Sequence, residues 1–205
     1  MKFNNETLRT AVKKWLNDET KAEDLYGHIS DWDTSEVTDM SDLFKTDMSD
    51  YINNSKNHYS ILAFNQPIGN WDVSKVTDMS EMFSGSEAFN QPIGNWDVSN
   101  VTDMSGMFYR ATSFNQPIGN WDVGMVTDMK AMFRKTDSYN QDIENWDVSK
   151  VTNMLLMFSE ATSFNQPIGN WDVSQVTDMD QMFWGATAFN QPLNNWDVSK
   201  VTNMT

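Results

Sequence analysis

A single stretch of sequence recurs along most of this chain. The string FNQPIGNWDVSKVTDMSEMF begins at Phe64, and related copies begin at Phe89, Phe114, Tyr139, Phe164 and Phe189. Six tryptophans recur at intervals of 25 residues: Trp71, Trp96, Trp121, Trp146, Trp171 and Trp196. This period constrains the fold more than any other feature, because in a repeat architecture each unit buries its apolar side chains only by stacking on its neighbours.

A period of 25 residues is too short for a helical hairpin and is typical of a strand-containing turn. We therefore predict a leucine-rich-repeat-like solenoid over residues 28–205, with about seven repeats of 25 residues. Val76 and Thr77 alternate apolar and polar, which predicts a short parallel β-strand in each turn. The sequence MSEMF, from Met79 to Phe83, has helical spacing and predicts a helical or 3₁₀ turn.

Eight large apolar positions recur in each repeat, and we expect all of them to face inward. In the first complete copy they are Phe64, Ile68, Trp71, Val73, Val76, Met79, Met82 and Phe83. An earlier copy carries Trp32, which precedes Trp71 by 39 residues instead of 25. The extra residues are polar and rich in turn formers, so we predict an inserted loop at 45–63.

Residues 1–27 read as a helical N-terminal cap. Leu8, Ala11, Val12, Trp15 and Leu16 form one apolar helical face after an Asn N-cap. A second short helix ends at Gly27, since glycine commonly terminates helices. The sequence closes on VTNMT, inside a repeat. From this we expect truncation, continuation in a longer protein, or self-association through an open C-terminal repeat.

The unit F-N-Q-P-I-x-N-W-D-V-S-x-V-T-x-M-x-x-M-F resembles the repeats of BspA-like, leucine-rich-repeat-like bacterial surface proteins. That group includes mycoplasma lipoproteins and surface proteins of Listeria and Lactobacillus. The resemblance covers about residues 28–205. It implies an adhesive or protein-binding role and a location at the cell surface or outside the cell. The N-terminal MKFNNETLRT, however, lacks the apolar segment of a signal peptide.

The chain is strongly acidic, with a formal net charge of −15. Nucleic acids and anionic membranes are therefore not expected as partners, because phosphate binding requires clustered Lys and Arg. A protein partner is expected, and the overall charge favours a basic one. No apolar run has the length of a membrane span, so membrane insertion is not expected. Cysteine is absent, which excludes disulfides and thiol chemistry.

Residues present in every repeat are expected to serve the scaffold. The Asn after each leading Phe or Tyr is predicted to satisfy turn backbone. The Asp after each Trp, such as Asp72, is predicted to cap its turn by accepting backbone N–H groups. An array of Ca²⁺ sites along these Asp is the alternative, since hard oxygen ligands suit that ion. The calcium-loop pattern is absent, so we predict no metal site and no cofactor.

Residues that vary between repeats are the candidates for binding. The two positions after each Met-Phe pair include large and charged residues, and Leu155 and Leu156 occupy positions that are mostly polar or small elsewhere. We predict a partner-binding surface, with loop 45–63 beside it, from Tyr109, Arg110, Arg134, Lys135, Leu155, Leu156 and Trp184.

No catalytic motif is present, and His28 and His58 have no repeated partner. We therefore predict a non-enzymatic protein–protein interaction or adhesion module and assign no catalytic residues. The alternatives are a structural, self-assembling rod and a surface repeat that binds carbohydrate through Tyr109 and Trp184, or Ca²⁺.

Overall fold

The computed structural model describes residues 1–46 and 56–204, and for residues 56–58 it describes the backbone alone. The described helices lie near the N-terminus. They are α1 (Asn5–Asn17), α2 (Glu19–Tyr26), a 3₁₀ helix (Ile29–Asp31) and α3 (Lys56–Leu62). Most of the remaining described residues belong to the stacked repeats.

The two predicted helices of the N-terminal segment are confirmed. Asn4 caps α1: its side chain accepts a hydrogen bond from the Thr7 amide, and the Thr7 hydroxyl accepts one from the Asn4 amide, both at 2.9 Å. Such a reciprocal pair satisfies two of the free amides at a helix start. The buried face of α1 contains the expected side chains, Leu8, Ala11, Val12, Trp15 and Leu16. Helix α2 ends at Gly27, which has a φ of 77°.

Residues of this segment cover the first repeat with hydrogen bonds. The Phe3 amide donates to the carbonyl of Asp33 at 2.8 Å. The Asn5 side chain accepts from the Thr38 amide at 2.9 Å. In later repeats that amide donates to the Thr carbonyl of the preceding repeat. Asn5 therefore replaces a carbonyl that the first repeat lacks.

Consecutive repeats stack on one another through backbone hydrogen bonds. The Thr102 amide donates to Thr77 in the preceding repeat at 2.9 Å, and the Met79 amide donates to Asp103 in the following repeat at 3.0 Å. Inside the stack, all eight positions predicted to face inward are buried in the first complete copy. Their rings stack in register: Trp96 and Trp121 have centroids 6.4 Å apart and planes 6° apart.

The predicted strand in every repeat is wrong, and with it the leucine-rich-repeat-like solenoid. Among the described residues no β-strand occurs; each repeat contributes one isolated parallel bridge instead. The bridges pair Asp39 with Asp78, Asp78 with Asp103, Asp103 with Asp128, Asp128 with Asn153, Asn153 with Asp178, and Asp178 with Asn203.

The backbone leaves the extended conformation immediately after each bridge. The Asp78 side chain accepts a hydrogen bond from the Ser80 amide at 2.8 Å, which closes a local turn. Three residues after that Asp comes a turn residue with positive φ, as at Glu81 (52°). A left-handed residue also stops a helix. The helical or 3₁₀ turn expected at MSEMF is therefore a hydrogen-bonded turn, in which the Met82 amide donates to Met79 at 3.2 Å.

The insertion after the first repeat is visible in the register of the stack. The bridge between Asp39 and Asp78 joins residues 39 apart, where later bridges join residues 25 apart. Residues 47–55 of the predicted loop 45–63 lie outside the described residues. Its later part contains α3, and the Leu62 carbonyl accepts from the Ala88 amide at 2.9 Å.

Candidate interaction surface

The Asp that follows each Trp serves its own turn. Asp72 accepts hydrogen bonds from the Ser74 amide at 3.0 Å and the Ser74 hydroxyl at 2.6 Å. The other six Asp accept the amide two residues later: Asp33, Asp97, Asp122, Asp147, Asp172 and Asp197. The predicted turn-capping role is confirmed. In the described part of the chain, no group of three or more His, Asp or Glu is placed to hold a metal ion.

The Asn column links one repeat to the next. The Asn115 side-chain oxygen accepts from the Asn140 amide and from the Gln141 side chain, both at 3.0 Å. The same arrangement recurs at Asn65, Asn90, Asn140 and Asn165. The prediction that these side chains satisfy backbone amides is confirmed, and the amide belongs to the following repeat. Both columns are thus engaged in the scaffold.

The variable positions lie on a different face of the stack. We call this the outer face and define it by the two residues after each Met-Phe pair: Ser84 and Gly85, Tyr109 and Arg110, Arg134 and Lys135, Ser159 and Glu160, and Trp184 and Gly185. The first residue of each pair is large in three repeats and a buried Ser in two. The second always has positive φ, between 57° and 79°.

Left-handed backbone makes the second position costly for any side chain. Gly85 and Gly185 adopt it freely, whereas Arg110, Lys135 and Glu160 adopt it with a Cβ. A left-handed non-glycine residue costs about 1–2 kcal/mol. Three consecutive repeats therefore hold charged side chains here against a local preference for glycine.

Tyr109 and Arg134 define a first groove on the outer face. The Arg134 guanidinium lies over the Tyr109 ring, 5.5 Å from its centroid. The groove has a volume of about 240 Å³ and is also lined by Glu81, Ser105, Gly106, Lys130 and Ala131. The contact orients the guanidinium plane, because a cation is attracted to the face of an aromatic ring.

Arg110, Lys135 and Trp184 line a second groove of about 520 Å³. The rest of its lining is Glu87, Thr112, Asp137, Glu160, Thr162 and Gly185. The Trp184 side chain is 60% exposed, unlike the buried tryptophans of the core. The next residue, Gly185, has no Cβ. A Cβ at this position would lie 3.2 Å from Cγ of Glu160 and would crowd the groove.

Ion pairs connect the charged residues of the outer face. Arg110 pairs with Glu87 at 3.4 Å, and Glu160 pairs with both Lys135 at 3.3 Å and Arg134 at 3.9 Å. All of these side chains are at least 30% exposed to solvent. Exposed pairs of this kind contribute little to stability, so they are available for exchange with a ligand.

Five of the seven predicted partner-binding residues are brought together in these two grooves: Tyr109, Arg110, Arg134, Lys135 and Trp184. Leu155 and Leu156 line neither groove and are half-buried. They present less apolar surface than the sequence predicts. Their partial burial follows in part from the backbone, because the Leu155 carbonyl and the Leu156 amide both form hydrogen bonds with neighbouring repeats.

Several groove residues were not selected from the sequence. Lys130 lies between the two Met of its repeat, and Glu87 and Asp137 lie four residues after a Phe. Comparing repeats at the position of Glu87 and Asp137 would have identified these two residues, because the corresponding residues elsewhere are uncharged, as at Thr112 and Thr162.

The remaining candidates are accounted for by packing. His28 packs edge-on against Trp15 and contacts the Ser30 hydroxyl at 2.7 Å. The side chain of His58 lies outside the described residues. None of the helices in the described part of the chain has the length and apolar composition that a membrane span requires.

A stack of near-identical repeats with one variable face defines this chain as a repeat protein. Its sequence matches the family described as Mycoplasma protein of unknown function, DUF285, over residues 9–61, 20–136 and 117–205. The chain therefore belongs to that family. No curated protein and no solved structure matches it.

Proposed function

We propose that this chain is a non-enzymatic protein-binding module whose outer face contacts a protein partner. One observation carries the proposal: the recurrent columns are used in stacking the repeats, while the variable residues converge in two adjoining grooves. Tyr109, Arg134 and Trp184 belong to the residue types most enriched at binding hot spots. The resemblance of the repeat motif to BspA-like surface proteins supports an adhesive form of this function.

The conformation of the outer face supports the same proposal. Arg110, Lys135 and Glu160 occupy left-handed positions that glycine fills in two other repeats. Positive φ also occurs at turn residues of the scaffold, such as Glu81 and Gln181, so the charge of these three side chains, and not the backbone conformation alone, supports the proposal. Side chains at these positions are exposed or half-buried and meet solvent in the second groove. We infer that they are kept for recognition.

Capture from cell and extracellular-matrix extracts tests the proposal. Immobilised wild-type chain is compared with a Tyr109→Ala/Arg134→Ala/Trp184→Ala variant. The matched control changes Lys75, Lys150 and Gln175 to Ala, which are exposed residues of another column. We expect a specific protein to be retained by wild type and control and lost from the outer-face variant, with the melting temperatures of all three alike.

Two results would contradict this. A captured protein retained equally by all three chains would place the binding surface elsewhere. Capture that disappears after enzymatic removal of glycans from the extract would assign the grooves to carbohydrate instead.

Self-association is the second candidate. In the seventh repeat the apolar residues Phe189, Leu193 and Trp196 are only partly buried, whereas their counterparts in earlier repeats are buried. Pairing of two copies would cover these rings. Light scattering over a dilution series measures this directly. A mass that increases with concentration, and returns to the monomer value with Trp196→Glu, would support assembly.

A further inference from the structure

We propose that the outer face recognises an acidic peptide segment of its protein partner. This inference rests on the proposed function and names the chemistry of the partner. The net charge of −15 favours a basic partner when it is averaged over the chain. The charge of the outer face is different, and recognition depends on the charges at the contact.

Four cations are concentrated in the third copy of the long motif unit, which begins at Phe114, and in the segments on either side of it. Arg110, Lys130, Arg134 and Lys135 all line the two grooves. Only two carboxylates, Glu87 and Glu160, lie within ion-pair distance of these four cations in the part of the chain that the structure describes. Lys130 has no ion pair within that part. The lining of the first groove therefore has a net positive charge, since Lys130 and Arg134 face one carboxylate, Glu81, whereas the carboxylates of the second groove outnumber its cations.

Arg134 has hydrogen-bonding capacity that the chain leaves unused. Its Nε is buried and makes no hydrogen bond, and its Nη2 lies 3.9 Å from Glu160, which is beyond hydrogen-bond distance. The ring of Tyr109 holds the guanidinium in one plane. The two Nη groups of a fixed guanidinium match the geometry of a carboxylate and can bind it through two parallel hydrogen bonds, whereas the buried Nε is not accessible to a ligand.

The first groove leaves that position open to an incoming carboxylate. Glu81 is the one acidic residue in its lining, and Lys45 holds Glu81 at 2.8 Å. Lys130 and the Ser105 hydroxyl lie in the same lining and can donate to the same anion. Charge and donors thus converge on one site that takes an Asp or Glu side chain.

The second groove extends the site along the stack. Its two cations, Arg110 and Lys135, face three carboxylates, Glu87, Asp137 and Glu160, so this groove adds no net positive charge and contributes through its apolar surface. Trp184 lies at the far side and offers an exposed ring to an apolar or aromatic residue. The acidic surface elsewhere on the chain repels such a peptide, which confines its binding to the outer face.

Fluorescence anisotropy with two labelled peptides tests the proposal. One probe alternates Glu and Phe, and the other has Lys in place of every Glu. We expect the Glu peptide to bind and a Lys130→Glu/Arg134→Glu variant to weaken its binding at least about tenfold. A Lys75→Glu/Lys150→Glu variant has the same total charge but is changed on another face, and we expect it to bind within about twofold of wild type. Added salt should weaken the interaction.

Three results would overturn the proposal: no binding of the Glu peptide, equal weakening in both charge-reversal variants, or tighter binding of the Lys peptide to wild type. The same variants in the extract capture separate this proposal from the proposed function. One outcome would refute the acidic partner alone: the Lys130→Glu/Arg134→Glu variant no longer captures a protein, and polylysine, but not polyglutamate, displaces that protein from the wild-type chain. The outer face would then still be a binding surface. If the variant captured every protein that wild type captures, both the acidic partner and the proposed function of the outer face would be refuted.

Discussion

The indole Nε1 of Trp121 donates a hydrogen bond of 3.2 Å to the carbonyl of Ile93, 28 residues earlier. The equivalent bond joins Trp146 to Ile118, Trp171 to Ile143 and Trp196 to Ile168. Each of these tryptophans fills the core of its own repeat and satisfies a carbonyl of the preceding one. Trp96 is buried in the same column, but its Nε1 makes no hydrogen bond.

The Trp96 exception allows the hydrogen bond to be separated from the apolar packing. Trp121→Phe and Trp96→Phe remove the same atoms from equivalent positions, but only the first removes a hydrogen bond; the Ile93 carbonyl still accepts from the Trp96 amide at 3.1 Å. We expect Trp121→Phe to cost about 0.5–1.5 kcal/mol more than Trp96→Phe, the net contribution of one hydrogen bond. Trp121→Ala should cost about 3–5 kcal/mol in all. Guanidinium unfolding measures all three, and equal costs for the two Phe variants would contradict the assignment.

The Asn column gives a second test of coupling between repeats. Asn115→Ala leaves the Asn140 amide and the Gln141 side chain without their acceptor. We expect a loss of about 0.5–1.5 kcal/mol, the net contribution of a hydrogen bond, because the exposed Asn140 amide can be hydrated instead. Asn115→Asp keeps an oxygen at the same place, so it should recover much of that loss in the same unfolding experiment. If Asn115→Asp destabilised the protein as much as Asn115→Ala, the side-chain oxygen would not be the feature that stabilises the stack at this position.

Much of the scaffold could be predicted from sequence because large apolar residues recur with one period. Burial of Trp71, Ile68 and Val76 follows from their chemistry and spacing alone. The strand could not be predicted correctly, because a two-residue alternation at Val76 and Thr77 does not show how far the extended backbone continues. The bond from the Ser80 amide to Asp78 and the positive φ at Glu81 decide that, and both depend on the folded backbone.

The outer face was predictable in part. Tyr109, Arg134 and Trp184 are conspicuous because they depart from the small residues of other repeats. Their grouping into two grooves depends on which side chains meet across neighbouring repeats. The unpaired Nε of Arg134 is likewise a property of the packed structure. A sequence pattern contains neither piece of information.

Acid should destabilise the stack through the Asp that cap its turns. Hydrogen bonds from the Ser149 hydroxyl and amide hold the pKa of Asp147 below its usual value, and Ser35, Ser74 and Ser174 lower the pKa of Asp33, Asp72 and Asp172 in the same way. A carboxyl with a lower pKa in the folded state contributes stability that is complete above its unfolded pKa of about 3.9. This contribution is lost as the pH falls through the lower, folded value.

We therefore expect the melting temperature to decrease as the pH falls below about 4. Ser149→Ala removes the hydroxyl donor, so it should lower the melting temperature at pH 7 and narrow the difference between pH 7 and low pH. Thermal melts of both chains across this range measure the effect. An unchanged pH dependence in Ser149→Ala would show that the hydroxyl does not lower the pKa of Asp147.

The left-handed positions of the outer face predict opposite effects for two glycine substitutions. Arg110→Gly relieves a backbone with φ of 59° and loses only an exposed pair with Glu87, so stability should stay unchanged or rise by about 1 kcal/mol. Gly185→Ala places a Cβ at φ of 72° and near Glu160, and should cost about 1 kcal/mol or more. Chemical unfolding compares them, and destabilisation by Arg110→Gly would show that its side chain supports the fold.

Tyr139 occupies a column that is Phe in the other copies of the long unit. Its ring is fully buried and stacks between Phe114, at 5.9 Å, and Phe164, at 6.3 Å. Its hydroxyl makes no hydrogen bond. Burial, together with the nearby charge of Asp142, raises the pKa of Tyr139 well above its usual value. The ring thus contributes to the stack while the hydroxyl opposes it, because a buried polar group without a partner has lost its hydration.

Removing that hydroxyl should stabilise the protein. We expect Tyr139→Phe to increase the free energy of unfolding by about 1–3 kcal/mol, the penalty for a buried unsatisfied group. The reciprocal change, Phe114→Tyr, adds a hydroxyl to the same column one repeat earlier and should destabilise the chain. Denaturant unfolding of both variants tests the pair. If Tyr139→Phe were less stable than wild type, the hydroxyl would have a stabilising partner and the column would tolerate Tyr for that reason.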